Sequence, residues 1–107
     1  MPFFGGKLAT ADIEIIRRAL RAAVEGPFFP EWEFGTLFGV NRGTLRAIYE
    51  AWPCPTVEPD AVRAGVIGSL NNLLGYPHGE ADALRDYFPE GLSVLSATLA
   101  RLIALDP

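Results

Sequence analysis

Residues 10–27 read T-A-D-I-E-I-I-R-R-A-L-R-A-A-V-E-G-P, and this stretch decides the fold class. Ile13, Ile16, Leu20, Ala23 and Val24 recur at three- and four-residue steps, which places them on one face of an α-helix. Arg17, Arg18 and Arg21 fall largely elsewhere on the wheel. Thr10 suits the N-cap. Asp12 and Glu14 then lie in the first turn, where the partial positive charge of a helix start favours carboxylates. Gly26 and Pro27 stop the helix.

The same grammar repeats along the chain. Before this helix, Pro2, Gly5 and Gly6 disfavour regular structure, and Phe3, Phe4 and Leu8 are expected to pack onto it. After it, Phe28-Phe29-Pro30 is a rigid apolar link, and Pro30 starts a short helix over Glu31 to Phe38. Gly39 fits that helix's end and Asn41 the N-cap of the next, about Arg42 to Trp52, with Leu45, Ile48, Tyr49 and Trp52 on one face. Residues 53–59 form an extended, proline-rich connector. Pro59 opens a fourth helix to about Leu74, with Val62, Val66, Leu70 and Leu73 inward. Residues 75–79 read as a turn. A fifth helix spans roughly Glu80 to Tyr87. A last one spans about Leu92 to Leu105, with Leu92, Leu95, Leu99 and Leu102 inward. Nothing shows the sustained alternation of a strand. The expected fold is all-α: a compact bundle of about five to six helices with Pro/Gly-rich connections, residues 1–107 forming a single domain.

Composition narrows function by exclusion. Half the residues are hydrophobic and mean hydropathy is +0.20. That is high for a small soluble monomer: either the core is unusually complete or a partner covers some apolar surface, and on the second reading a homo-oligomer is expected. Net charge is −4, all of it arising after residue 53. Acidic surfaces are repelled by phosphate backbones, so nucleic acid is not expected as a general partner. A single cysteine, Cys54, permits no internal disulfide. No apolar run approaches the length of a membrane helix and the start does not read as a signal peptide, so the expected compartment is the cytoplasm.

One stretch resembles a known motif. Glu31 to Glu50 reads E-W-E-F-G-T-L-F-G-V-N-R-G-T-L-R-A-I-Y-E, which resembles the DNA-binding helix-turn-helix. Gly35 stands where the motif wants a small residue at the helix crossing. Gly39 is the turn glycine, Val40 the apolar residue after it, and Leu45 and Ile48 the apolar positions of the second helix. The resemblance implies that Arg42, Thr44 and Arg46 face the major groove. Two features oppose it. Gly43 weakens the start of the would-be recognition helix, and the first helix offers Glu31 and Glu33 instead of basic residues for phosphates.

Other candidates come from composition. Seven of the twelve aromatics lie between Phe28 and Trp52. They are either the core of this half or an interaction surface, with Phe28, Phe29, Trp32 and Trp52 as anchors. Gly65 and Gly68 give the fourth helix a small-residue face for close approach of another helix of this chain, the same helix of a second subunit, or a ligand. Asn71, Asn72, Tyr76 and His78 are a candidate polar binding site if they converge. If they do not, the asparagines are expected to satisfy backbone groups around the Gly75 turn. One histidine and scattered carboxylates offer no metal-ligand spacing, no nucleophile motif and no phosphate loop, so neither metal nor cofactor is expected. The expected function is non-catalytic and protein-binding, with self-association. The alternative is DNA binding through residues 31–50.

Overall fold

The computed structural model describes residues 8–105. The expected packing of Phe3 and Phe4 therefore lies outside the described residues. Six helices follow one another: α1 Thr10–Glu25, α2 Glu31–Phe38, α3 Arg42–Ala51, α4 Pro59–Gly75, α5 Ala81–Tyr87 and α6 Ser93–Leu105. The described residues contain no strand. They form one globule with a Cα radius of gyration of 12.6 Å, near the roughly 13 Å of a single domain of this length.

Local chemistry accounts for most boundaries. Asn41 caps α3 by accepting the Thr44 amide N–H at 2.8 Å, as its position after a glycine turn implies. Gly39 ends α2 at φ +70°, a left-handed conformation that favours glycine. Glu58 caps α4, its carboxylate accepting from the amides of Asp60 and Ala61, with Pro59 at the first helical position. The start of α1 corrects the sequence reading. Thr10 is already helical, and Ala9 occupies the N-cap without a side-chain bond. The ladder begins where Ile13 N–H donates to the Ala9 carbonyl at 3.0 Å.

Helix α4 is the hub of the bundle and packs against α1, α2, α3 and α6. Val62, Val66, Leu70 and Leu73 of α4 are buried with Ile16, Leu20, Leu45, Ile48, Leu95 and Leu102 from the surrounding helices. At about 1.5–3 kcal/mol for each fully buried large aliphatic side chain, this shared core is the main term holding the helices together. The last helix departs from expectation at one residue. Leu95 and Leu102 are fully buried, but Leu92 is 43% exposed.

Candidate functional site

The aromatic region is core. Phe28, Phe29, Phe34, Phe38 and Trp52 are buried, and of the seven aromatics only Trp32 stands clear in solvent, at 80% exposure. Phe34 and Phe38 stack with ring centroids 4.4 Å apart, and Phe29 meets Phe38 edge-on at 5.0 Å. Trp52 donates its indole N–H to the Ile13 carbonyl at 3.0 Å, pinning α3 to α1. Phe28, Phe29 and Trp52 are therefore spent inside the molecule and are not open anchors.

The glycine face of α4 is likewise covered by the same chain. A Cβ on Gly65 would stand 2.8 Å from Leu45 Cδ1, and one on Gly68 would stand 3.0 Å from Phe38 Cδ1. These glycines let α2 and α3 approach α4 closely. The approach buries Gly65 and leaves Gly68 half-buried at the edge of the α2–α4 cleft.

The helix-turn-helix residues take a different arrangement from the one the motif implies. Arg42 turns back into the protein. Its guanidinium donates to the carbonyls of Ala23, Val24 and Phe29 and to the Glu31 carboxylate, and it lies 4.4 Å from the Phe34 ring centroid. This cation satisfies orphan carbonyls at the end of α1, where the helix dipole favours positive charge. Thr44 is half-buried and Arg46 exposed. A Cβ on Gly35 would meet nothing within 4 Å, so no helix crosses at the residue the motif reserves for that purpose.

The four candidate polar residues do not form one site. Asn72 donates its amide to the carbonyls of Leu37 and Gly68, both at 2.9 Å. It ties α4 to α2 instead of closing the Gly75 turn. Asn71 is exposed beside it, on the α2–α4 side. Tyr76 and His78 belong to a separate cleft. The Tyr76 hydroxyl donates to the Glu33 carboxylate, which raises the phenol above its ordinary range. His78 Nδ1 accepts the Glu80 amide N–H at 2.9 Å, and the ring packs edge-on against Phe28 with centroids 5.0 Å apart. With Nδ1 so engaged, the neutral ring carries its proton on Nε2, facing the Leu73 carbonyl. Nδ1 is thus engaged within the turn.

Clefts lined by charged and polar side chains lie between α1 and α6 and between α2 and α4, and a further cleft is mainly apolar. The cleft beside His78 is a groove of about 480 Å³, within the size range of ligand and side-chain pockets. Leu73 and Leu74 from the end of α4, Pro77, Leu84 of α5, Phe88 just after it, and Leu92 line it together with Glu80 and Arg85. Leu92 also begins a second apolar feature. Its carbonyl accepts from the amides of Leu95 and Ser96, so it continues the α6 ladder by one residue. At about 100° per residue, Leu92, Ser96, Leu99 and Ile103 fall on one edge of α6. Ser93, Ala97, Ala100 and Ala104 fill the adjoining solvent side. None of these eight residues is charged. Leu92 and Ile103 are two of the three large hydrophobics that stand exposed among the described residues, at 43% and 54%.

The one charged residue of α6 turns to the opposite edge. Arg101 pairs with Asp12 of α1 through both carboxylate oxygens, at 2.7 and 2.5 Å, and Thr98 donates to the same carboxylate at 2.8 Å. The Asp12 side chain is 4% exposed. Its hydrogen bond from Arg101 holds the carboxyl below its ordinary range, with Thr98 adding to this and burial opposing it. Nearby, Arg18 grips Glu90 through both oxygens at 2.8 and 2.7 Å, which lowers the Glu90 carboxyl to about 2. Both pairs tie separate parts of the chain together. Among the described residues, no group of three His, Cys, Asp or Glu side chains is placed to hold a metal ion. No described helix is long and apolar enough to cross a membrane.

Comparison with known proteins yields no match to a protein family, a curated protein or a solved structure.

Sequence reasoning missed the open edge of α6. The signal was present in the spacing of Leu92, Ser96, Leu99 and Ile103, at steps of four, three and four. It was hidden because Leu92 and Leu99 also fit the stripe of Leu95 and Leu102.

Proposed function

We propose that this is a small non-catalytic helical protein that acts through protein–protein contacts, self-association among them. One observation carries the reading: an uncharged helix face bearing exposed Leu92 and Ile103, continuous through Leu92 with the apolar groove. Contiguous exposed apolar surface on a soluble chain marks an interaction site. The polar chemistry supports the same conclusion from the other side. Arg18, Arg42, Arg101, Asp12 and Asn72 each spend hydrogen bonds on holding elements together. The proposed compartment is the cytoplasm, where an exposed lone thiol such as Cys54 stays reduced.

Sedimentation velocity over a wide concentration series tests the proposal. The expected result is a sedimentation coefficient that rises with concentration. A strict monomer at the highest concentration overturns it. Duplex DNA binding through residues 31–50 is the competing reading, and the inward turn of Arg42 weighs against it. DNA binding predicts a salt-sensitive complex weakened by Arg46→Ala. No shift of a labelled duplex at low salt removes that reading.

A further inference from the structure

We infer that the partner on the open edge of α6 is a second copy of this chain, with the two α6 helices paired antiparallel about a twofold axis. The inference rests on the protein-contact function proposed above and specifies its partner and geometry.

Charge is the first argument for a second copy. The chain carries a net charge of −4, so pairing it with itself is opposed wherever acidic groups face each other. The outer residues of the other helices include Glu14, Glu25, Glu31, Glu50, Asp60, Asp82 and Asp86, all exposed. The open side of α6 carries no acid, and its one cation lies on the opposite edge, bound to Asp12. Two copies meeting on this face set no acid of α6 against another.

Self-complementarity is the second argument. A twofold interface presents the same patch to itself, so residue i meets j and j meets i. The seam Leu92, Ser96, Leu99, Ile103 has the four-three-four spacing of a coiled-coil edge, and it is symmetric about its midpoint. Antiparallel pairing sets Leu92 opposite Ile103 of the second copy and Ser96 opposite its Leu99. Small then faces large at the centre, and the two exposed aliphatics cover each other at the ends. Parallel pairing sets Leu99 on Leu99 and Ser96 on Ser96, which crowds one level and leaves a void at the other.

Area sets the strength. The seam is about 16 Å long at about 1.5 Å per residue. A helix pair of that length covers less than the roughly 800 Å² per partner of a standard interface. Antiparallel pairing, however, brings the second copy's Ile103 end to Leu92, at the mouth of the groove. The groove then adds apolar area to the seam. The expected product is a reversible dimer.

Cross-linking orientation tests this in the full chain with Cys54→Ser, which removes the native exposed thiol. Leu92→Cys and Ile103→Cys proteins are oxidised separately and mixed, at concentrations where sedimentation shows association. Antiparallel pairing gives a disulfide dimer in the mixture and little in either protein alone. Dimers in each protein alone mean parallel pairing and overturn the proposed geometry. Sedimentation dimers with no disulfide in any tube place the interface elsewhere and overturn the inference, while the protein-contact function stands. A strict monomer overturns both. Ile103→Asp is the companion variant. Its side chain is more than half exposed, so helicity by circular dichroism should be unchanged while association weakens at least tenfold. Unchanged association of folded Ile103→Asp also overturns the inference.

Discussion

The aromatic region between Phe28 and Trp52 and the aliphatic helix α6 invite opposite expectations. The first is dense in the residue types that dominate interface hot spots. The second reads as an ordinary leucine-faced helix. The structure reverses them. Five of the seven aromatics are buried, whereas α6 leaves Leu92 and Ile103 in water. Large rings close a small core first because each removes about 150–250 Å² from solvent. Helix α6 buries one stripe on that core and leaves the adjoining one uncovered. Residue type alone therefore misidentifies a surface, and the position of an element in the bundle decides it.

The largest expected effect lies in the aromatic core. Phe38 is 2% exposed, packs on Phe34 and Phe29 and fills the space beside Gly68. Phe38→Ala should destabilise the fold by about 3–5 kcal/mol, since it removes a buried ring and leaves a cavity between α2 and α4. Urea unfolding followed at 222 nm measures it. Ile103→Ala, on the open helix, should cost less than about 1 kcal/mol in the same assay. Equal losses at the two positions would erase the contrast between the regions.

Arg42 comes next, because it shows how the motif-like stretch is used. Arg42→Ala removes four hydrogen bonds from a side chain 25% exposed and leaves carbonyls at the end of α1 without a donor. A loss of about 2–3 kcal/mol is expected. Arg46→Ala, fully on the surface, should change stability by no more than about 0.5 kcal/mol. A large effect at Arg46 and none at Arg42 would return the stretch to a role outside the fold.

A smaller effect tests the anchored edge of α6. Breaking a buried ion pair costs about 3–5 kcal/mol, but Arg101 is more than half exposed and water screens it. Arg101→Ala should therefore cost about 1–3 kcal/mol. The pH dependence has a definite sign. The Asp12 and Glu90 carboxyls are both lowered in the folded protein, Glu90 to about 2. Their stabilisation is complete above the ordinary carboxylate range near 4 and is lost as pH falls below it. Thermal melts from pH 6 to 2.5 should show a falling midpoint. Arg101→Ala should flatten part of that fall, because Asp12 then loses the partner that lowers it. An unchanged slope would mean that the pair does not stabilise the folded state.

Legibility in the sequence followed the range of each interaction. Asn41 as a cap, Gly39 as a left-handed stop and Pro59 as a helix opener are decided within four residues, so the fold class and most boundaries could be read directly. Asp12 could not. Its place in a first turn suggests a solvated dipole partner, yet it is buried against Arg101, 89 residues away. No local pattern encodes that contact. Arg42 failed in the same way, since an arginine at a helix start looks free until the end of α1 is placed beside it. On α6, two adjacent stripes both satisfy helical spacing. Only the direction in which α4 and α1 lie selects Leu95, Thr98 and Leu102 as the inner one.

Trp32 offers the smallest effect on stability and the sharpest check on where the open surface lies. The protein has two tryptophans, one 3% exposed and one 80% exposed. Trp32→Phe should change stability by no more than about 0.5 kcal/mol. It should also remove most of the iodide-quenchable fluorescence and leave the blue-shifted emission of Trp52. In the native protein, quenching of Trp32 should stay constant as concentration rises, because α2 lies apart from the α6 seam. Progressive protection of Trp32 on association would move the interface to the aromatic half, and would mean that the one ring left outside the core, not the aliphatic helix, is where the molecule meets its partner.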